Sequence, residues 1–520
     1  MTNTPTQLRP DQARPEFLRR AAKSLRKAFA DSDPQAVSRV HAVLPGAQTL
    51  RHADALHVLA REAGHDSWPK LVFAEDARAL DRAARADRLG RALTQGHSWV
   101  IDALLAETPD LGRDSLGLAC ATYDVAEVSR RLAKDPAAAT RPDGDRRPIA
   151  HLAFSRFHQC GGAEADMLAV AQALLAAGAD VNDTIADEQG SDQRLSVLYG
   201  AIGHGNNMAL AEWLLDHGAD PNDNESLYHA TELGHRGGIR LLLAHGARPE
   251  GTNALLRALD FDDAEAVSLL LAAGSGPAEL AAGQPSEEPQ LVTGALHHAA
   301  RRMCSAKTAR MLVDHGADPS ARAFGHTAYA LARMHGNAAV AQVIAQAGGD
   351  TTLSGPEAQL ARAADGTAGP RDWIDMAVLS DESRRLLCRM SGRPGALGHM
   401  QRLVEMGFDS NGTDEMGLTP LMLAGWEGQA DVFAFFLGQR PDLGHVNRFG
   451  GGLLDTILHG SLNCPHRADR DHLGCMEQAL HQGVALPRGM LKAEAGAAMA
   501  AFLADWAERH PGQVVDRPAG

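Results

Sequence analysis

Apolar residues recur along this chain in short stripes of helical period, each closed by a small polar cluster. The stretch "LLDHGADPND", Leu214 to Asp223, shows the pattern: paired leucines, a glycine, Ala-Asp and a run of turn formers. Versions of it stand at Leu174 ("LLAAGADVND") and at Met311 ("MLVDHGADPS"). With the glycine, or the residue in its place, as a phase marker, the series is Thr108, Asp135, Gly178, Gly218, Gly246, Gly274, Gly316, Gly348, Gly407, Arg440 and Gly483, with gaps of 27 to 59 residues. A period near 30 residues with additions is the mark of stacked structural units. Catalytic motifs seldom repeat.

The fullest copy is "GLTPLMLAGWEGQADVFAFFLGQRPDL". Leu421, Leu423 and Ala424 give one apolar face before a break at Gly425 to Gly428, and Val432, Phe433, Phe435, Phe436 and Leu437 give a second, so the spacing predicts two short helices. Thr419 is placed to cap the first, with Pro420 where a missing N–H does no harm. Gly178, Gly218 and Gly316 fall where the chain must leave a helix with positive φ, and Asp220, Asn222 and Asp223 suit the corner that follows. A hairpin of this size cannot cover its own apolar face, so neighbours must stack.

The helix starts "LTPLMLA" at Leu418, "GALHHAA" at Gly294, "GHTAYALARMHGN" at Gly325 and "SLYHATELGH" at Ser226 resemble the T-P-L-H-x-A signature of ankyrin repeats, whose period is about 33 residues. The resemblance covers roughly residues 96 to 510 and implies an all-α fold, a curved ankyrin-repeat solenoid of stacked helix hairpins. Units with 28-residue gaps are too short for a full hairpin finger, and the 59-residue gap is expected to hide a degenerate repeat around "DESRRLLCRM". Ahead of the array, two stretches are helical by period, with Gly64 as a stop and Asp66 or Ser67 as the next cap. Their segment "AREAGHDSWPKL" resembles one that precedes ankyrin repeats in bacterial proteins. The expected organisation is a flexible tail at 1–15, a helical module at 16–92, repeats at 93–353, a degenerate repeat or insert at 354–395, last repeats at 396–486 with a Cys/His insert at 459–475, a capping helix at 487–510 and a tail at 511–520. Leu491, Ala495, Met499, Phe502, Leu503 and Trp506 form the stripe of that closing helix.

Composition agrees with thin layers: aromatics are only 4% of residues, so closely packed small side chains must make the core. No apolar run reaches the roughly 18 residues of a spanning helix. The opening residues lack the regions of a secretory signal, and six scattered cysteines without a CxxC suit reduced thiols, so a cytoplasmic location is expected. Net charge is -15, yet residues 1 to 30 carry +5. The remainder should repel nucleic acid and favour a protein partner with a basic surface. In the first helix Leu18, Ala21, Leu25 and Phe29 make an apolar stripe while Arg19, Arg20, Lys23, Arg26 and Lys27 crowd the other side; docking of this helix on its own chain is expected, ahead of a membrane or nucleic acid.

Candidate chemistry is sparse. There is no phosphate-binding G-x-x-x-x-G-K-[ST], H-E-x-x-H or G-x-S-x-G, and no G-x-G-x-x-G following a strand, so no catalytic residues and no cofactor are assigned. "DPNDNE" at Asp220 imitates a calcium loop but has Glu225 in place of the needed glycine. His204, His235 and His335, beside glycine at the bends, are read as bonding free carbonyls at helix ends, and His297 as tying its turn. His459, Cys464, His466, His472 and Cys475 form the densest ligand cluster; Cys464, His466, His472 and Cys475 could hold zinc, but their spacing matches no common module and an ordered loop is preferred. The resemblance implies a non-enzymatic scaffold or adaptor that binds a protein in the groove of fingers and first helices, with Asn182, Asp183, Asn222 and Asp223 as contacts. The alternatives are a bacterial effector or toxin-neutralising regulator using the same surface, and a zinc-stapled or metal-sensing protein.

Overall fold

The computed structural model describes residues 14–186, 194–276, 294–369, 372–493 and 495–516; the outer parts of the two expected tails, 1–13 and 517–520, lie outside them. The chain divides into two compact units, Leu80–Ala361 and a second made of Met1–Ala79 together with Arg362–Gly520.

Leu80–Ala361 holds eight helix hairpins among its described residues, from Arg82–Gln95 with Ser98–Glu107 to Ala328–His335 with Ala338–Gln346. First helices stack on first helices, as Leu116–Ala121 does on Pro148–Ala153 and Ala295–Arg301 on Ala328–His335. Second helices stack on second helices, as Val125–Lys134 does on Glu164–Ala176 and Ala306–Asp314 on Ala338–Gln346. The side chains explain this sorting. Ala201, Ala230, Ala258 and Ala299 are buried at equivalent places in successive first helices and let these helices approach closely. Leu174, Leu214, Leu242, Leu270 and Leu312 fill the wider layer between second helices. Capping follows the pattern of the sequence: Thr327 Oγ1 accepts from the Ala330 amide at 3.1 Å, and Asn337 Oδ1 from Val340 at 3.1 Å.

The recurrent stop has one geometry. Gly218 and Gly316 have φ of 96° and 94°, a region that glycine enters without a Cβ penalty. The Asp that follows then closes a small turn on the residue two places on: Asp180 with Asn182 at 2.8 Å, Asp220 with Asn222 at 2.9 Å, Asp318 with Ser320 at 2.8 Å. Thr108 and Asp135 depart from this, leaving their helices with negative φ, -135° and -147°. Longer units carry short antiparallel fingers, Thr184–Ala186 with Arg194–Ser196 and Arg322–Ala323 with His326–Thr327. Among the described residues the two 28-residue units have no such strands, as their length predicts.

In the second unit the same hairpins recur as Pro420–Trp426 with Ala430–Leu437 and Leu453–Asn463 with His472–His481. Thr419 caps the first of these at 3.3 Å from the Met422 amide. Arg440 takes the glycine position with φ 55°. The 59-residue gap contains Gly355–Ala364, Asp381–Arg384, Leu386–Met390 and Leu397–Glu405. Of the expected closing stripe, Met499, Leu503 and Trp506 are buried in a helix that starts at Ala497; Leu491 and Ala495 precede it. This helix is not a bare end. Pro15–Ala30, Pro34–Val43, His52–Glu62 and Trp68–Ala79 form a small module around Leu18, Leu25, Val40, Leu59 and Leu71, and its helix His52–Glu62 packs against Ala497–Arg509. There the buried His52 Nε2 meets Glu508 Oε1 at 3.2 Å, and Lys23 Nζ meets the same oxygen at 3.7 Å. On its other side Trp506 stands edge-on to His481, with centroids 4.8 Å apart. Gln513 pins the end by donating to Leu480 O and Val484 O, both at 2.7 Å.

Candidate functional site

Three successive first helices, Ser226–Ala230, Ala254–Asp260 and Ala295–Arg301, and the residues just after them carry a connected row of polar and aromatic side chains. His298 and Arg301 are buried, Tyr228, His229, Arg257 and Asp260 half-buried, and Glu232, Phe261 and Arg302 exposed. His229, Arg257 and His298 occupy one register, with Glu232, Asp260 and Arg301 three residues later on the same side. They connect across the repeats. His229 lies between Glu225, at 3.3 Å, and Glu232, at 2.7 Å. Arg257 donates to Glu232 at 2.8 Å and to Asp260 at 2.9 Å. His298 Nε2 and Arg302 Nε each reach Asp260 Oδ1 at 2.7 Å. The Arg257 guanidinium also lies 5.7 Å from the Tyr228 ring centre and 4.9 Å from that of Phe261, which is 38% exposed.

Electrostatics fix these charges. Burial opposes a proton on His229, but the Glu225 and Glu232 carboxylates outweigh it and raise the imidazole to about 9. Burial likewise opposes ionisation of Asp260, and the His298 bond with the Arg302 and Arg257 charges holds it well below the usual carboxylate range. His298 is pushed down by burial and so is the neutral donor in its pair; its Nδ1 has no partner among the described residues. Each charge thus has its counter-charge in place, so a partner would meet a surface already fixed in shape.

The residues chosen from sequence sit elsewhere, at the corners between units. The Asn182 amide donates to Gly218 O at 3.1 Å, and its oxygen accepts from the Asp220 amide at 2.7 Å. Asn222 repeats this with the Arg248 amide at 2.8 Å. Asp183 is buried and binds Arg147. Asp223 accepts from the amides of Glu225 and Ser226 at 3.1 and 2.8 Å. All four therefore join neighbouring units or turns. The face on the first helices was missed, although aligning "LYHATE", "LLRALD" and "LHHAAR" shows its alternating charges.

The Cys/His insert divides among separate partners. Cys464 Sγ lies 3.5 Å from Glu427 Oε2; His472 Nε2 bonds Trp426 O at 2.8 Å; Cys475 is buried in the helix His472–His481, and His466 is exposed. Among the described residues no group of three or more His, Cys, Asp or Glu is placed to hold a metal ion. Of the bend histidines, His204 Nε2 bonds a backbone carbonyl, Thr94 O, at 2.9 Å, whereas His235 Nε2 bonds a side chain, Asn206 Oδ1, at 2.8 Å. His297 and His335 are buried. A cavity of about 420 Å³ is lined by His158, Met167, Asn207, Met208 and His235, and its His158 is already engaged with Gly205 O at 3.1 Å.

A family model of three ankyrin repeats matches residues 157–253 and 198–279, and a model of the single ankyrin repeat matches 294–323. Among solved structures, the crystal structure of the human ASB11 ankyrin repeat domain is 22% identical, with a TM-score of 0.32, and covers 47% of this chain and 98% of that one. No curated protein matches the chain.

Proposed function

The chain is an ankyrin-repeat protein by the repeats at 157–279 and 294–323, and on that premise we propose that it is a non-enzymatic adaptor which holds a protein partner on its fingers and first helices. The observation that carries this reading is the face built from Tyr228, His229, Arg257, Phe261 and Arg302. Tyr and Arg dominate binding energy at protein interfaces, and the ion network leaves little side-chain freedom to lose on association. The exposed Asp180, Asp220 and Asp318 at successive corners and the net charge of -15 favour a partner with a basic surface and disfavour duplex nucleic acid. Asn182, Asp183, Asn222 and Asp223 enter as the residues that set the shape of the corners beside this face. No described helix is long and apolar enough to cross a membrane. Six unpaired thiols support a reducing, cytoplasmic setting.

The test is a pull-down from the native cell with the full chain and with Arg257→Ala/Phe261→Ser. Loss of a stoichiometric protein from the variant, with its fold retained by circular dichroism, is expected. An unchanged set of bound proteins would move the contact away from the first helices.

A further inference from the structure

The helix Pro15–Ala30 lies outside the repeats, and its two faces have different fates. Leu18, Ala22 and Leu25 are buried against their own module, so its apolar side is not available for insertion into lipid. The opposite side is a stripe of cations. Arg19, Lys23, Arg26 and Lys27 follow one another at helical spacing with Arg20 beside them, and Glu16 is the helix's one carboxylate. Arg19, Arg20, Lys23 and Lys27 are exposed.

Other cations of this module are matched to acids: Arg39 to Glu62 at 2.7 Å, Arg51 to Asp54 at 3.1 Å, Arg61 and Lys70 to Asp66 at 2.9 and 2.8 Å, and Arg78 to Glu75 at 2.6 Å. On the stripe only Lys23 has a carboxylate within reach among the described residues, the distant Glu508. The expected docking on the chain's own acids therefore engages Lys23, while the Arg19 guanidinium lies 5.6 Å from the Trp68 ring centre and Arg20 and Lys27 stay exposed.

We propose that this stripe binds a short acidic segment of a protein partner, at a surface separate from the repeat face. Arg19 to Lys27 spans about 12 Å of helix, the reach of roughly four residues of extended chain. A short segment of Asp and Glu places its charge only there. A duplex or an anionic membrane would carry its charge on past the stripe, toward a molecule whose remainder is strongly acidic. Phe17, 47% exposed at the edge of the stripe, adds an apolar contact for such a segment.

The experiment uses the full chain and a fluorescein-labelled octaglutamate peptide, read by anisotropy at about 0.15 M salt. The comparison is with Arg20→Gln/Lys27→Gln, and the control is Lys134→Gln/Lys307→Gln, an equal loss of exposed charge elsewhere. Expected is peptide binding that weakens about five- to tenfold in the first variant, stays unchanged in the control and falls with added salt. No binding, or equal binding by all three proteins, overturns the proposal. So does tighter binding of a short DNA duplex or of phosphatidylserine vesicles that the first variant loses, which would make the ligand a nucleic acid or a membrane. Self-association lost in that variant, seen by sedimentation, would assign the stripe to a second copy and overturn it as well.

Discussion

Arg440 holds a left-handed conformation, φ 55°, at a place where neighbouring units use glycine. A side chain there costs about 1 kcal/mol or more, partly offset by glycine's greater freedom when unfolded, so Arg440→Gly should raise stability by up to about 1 kcal/mol in urea denaturation. His229 and His204 make opposite pH predictions. His229 sits at about 9, above its ordinary 6.5, so its contribution is complete below about pH 6.5 and is lost as pH rises through 9. His204, pushed down to about 4 mainly by burial and then by the nearby Arg156 charge, contributes above 6.5 and loses that contribution as pH falls toward 4. Melting temperatures across pH should show His229→Gln losing the alkaline slope and His204→Gln the acid one. At this scale the sequence was legible where backbone chemistry dictates the residue, as at Gly218 and Thr419. It was silent on titration: Glu225 and Glu232 stand four residues before and three after His229 in the chain, but the burial they outweigh comes from the stacked repeats.

Between elements, the corner residues act as ties. Asn182 joins Gly218 and Asp220, Asn222 joins Arg248, and Asn411 repeats the contact with the Asp442 amide at 3.0 Å. Each alanine substitution should cost about 0.5–1.5 kcal/mol, measurable by urea denaturation, and hydrogen exchange should rise in the two joined units before it rises elsewhere. Helix positions were readable because apolar spacing and small-residue stripes are local. Two things were not. Among the described residues the helix Gly355–Ala364 is not followed directly by a second helix of matching length in the 59-residue gap, so no repeat pattern marks it. The network from Glu225 to Arg302 needs three units in register, and each "LxxA" segment alone reads as an ordinary helix start.

For the molecule as a whole, the least legible feature is that residues 14–79 share a compact unit with the last repeats. Apolar stripes at Leu18 and at Leu503 announce faces that need cover, but a stripe does not say which other stripe covers it. Trp506→Ala should cost about 3–5 kcal/mol. It should also raise hydrogen exchange in both His52–Glu62 and Ala497–Arg509, whereas a free end cap would affect its own helix and the preceding repeat only. During synthesis the hairpins of Leu80–Ala361 can stack one after another as they leave the ribosome, since each needs only its predecessor. Pro15–Ala30 and its companions emerge first, yet they must wait, with His52–Glu62 uncovered, until Ala497–Arg509 appears. A nascent chain halted short of that point therefore keeps an oily flank within reach of chaperones and proteases.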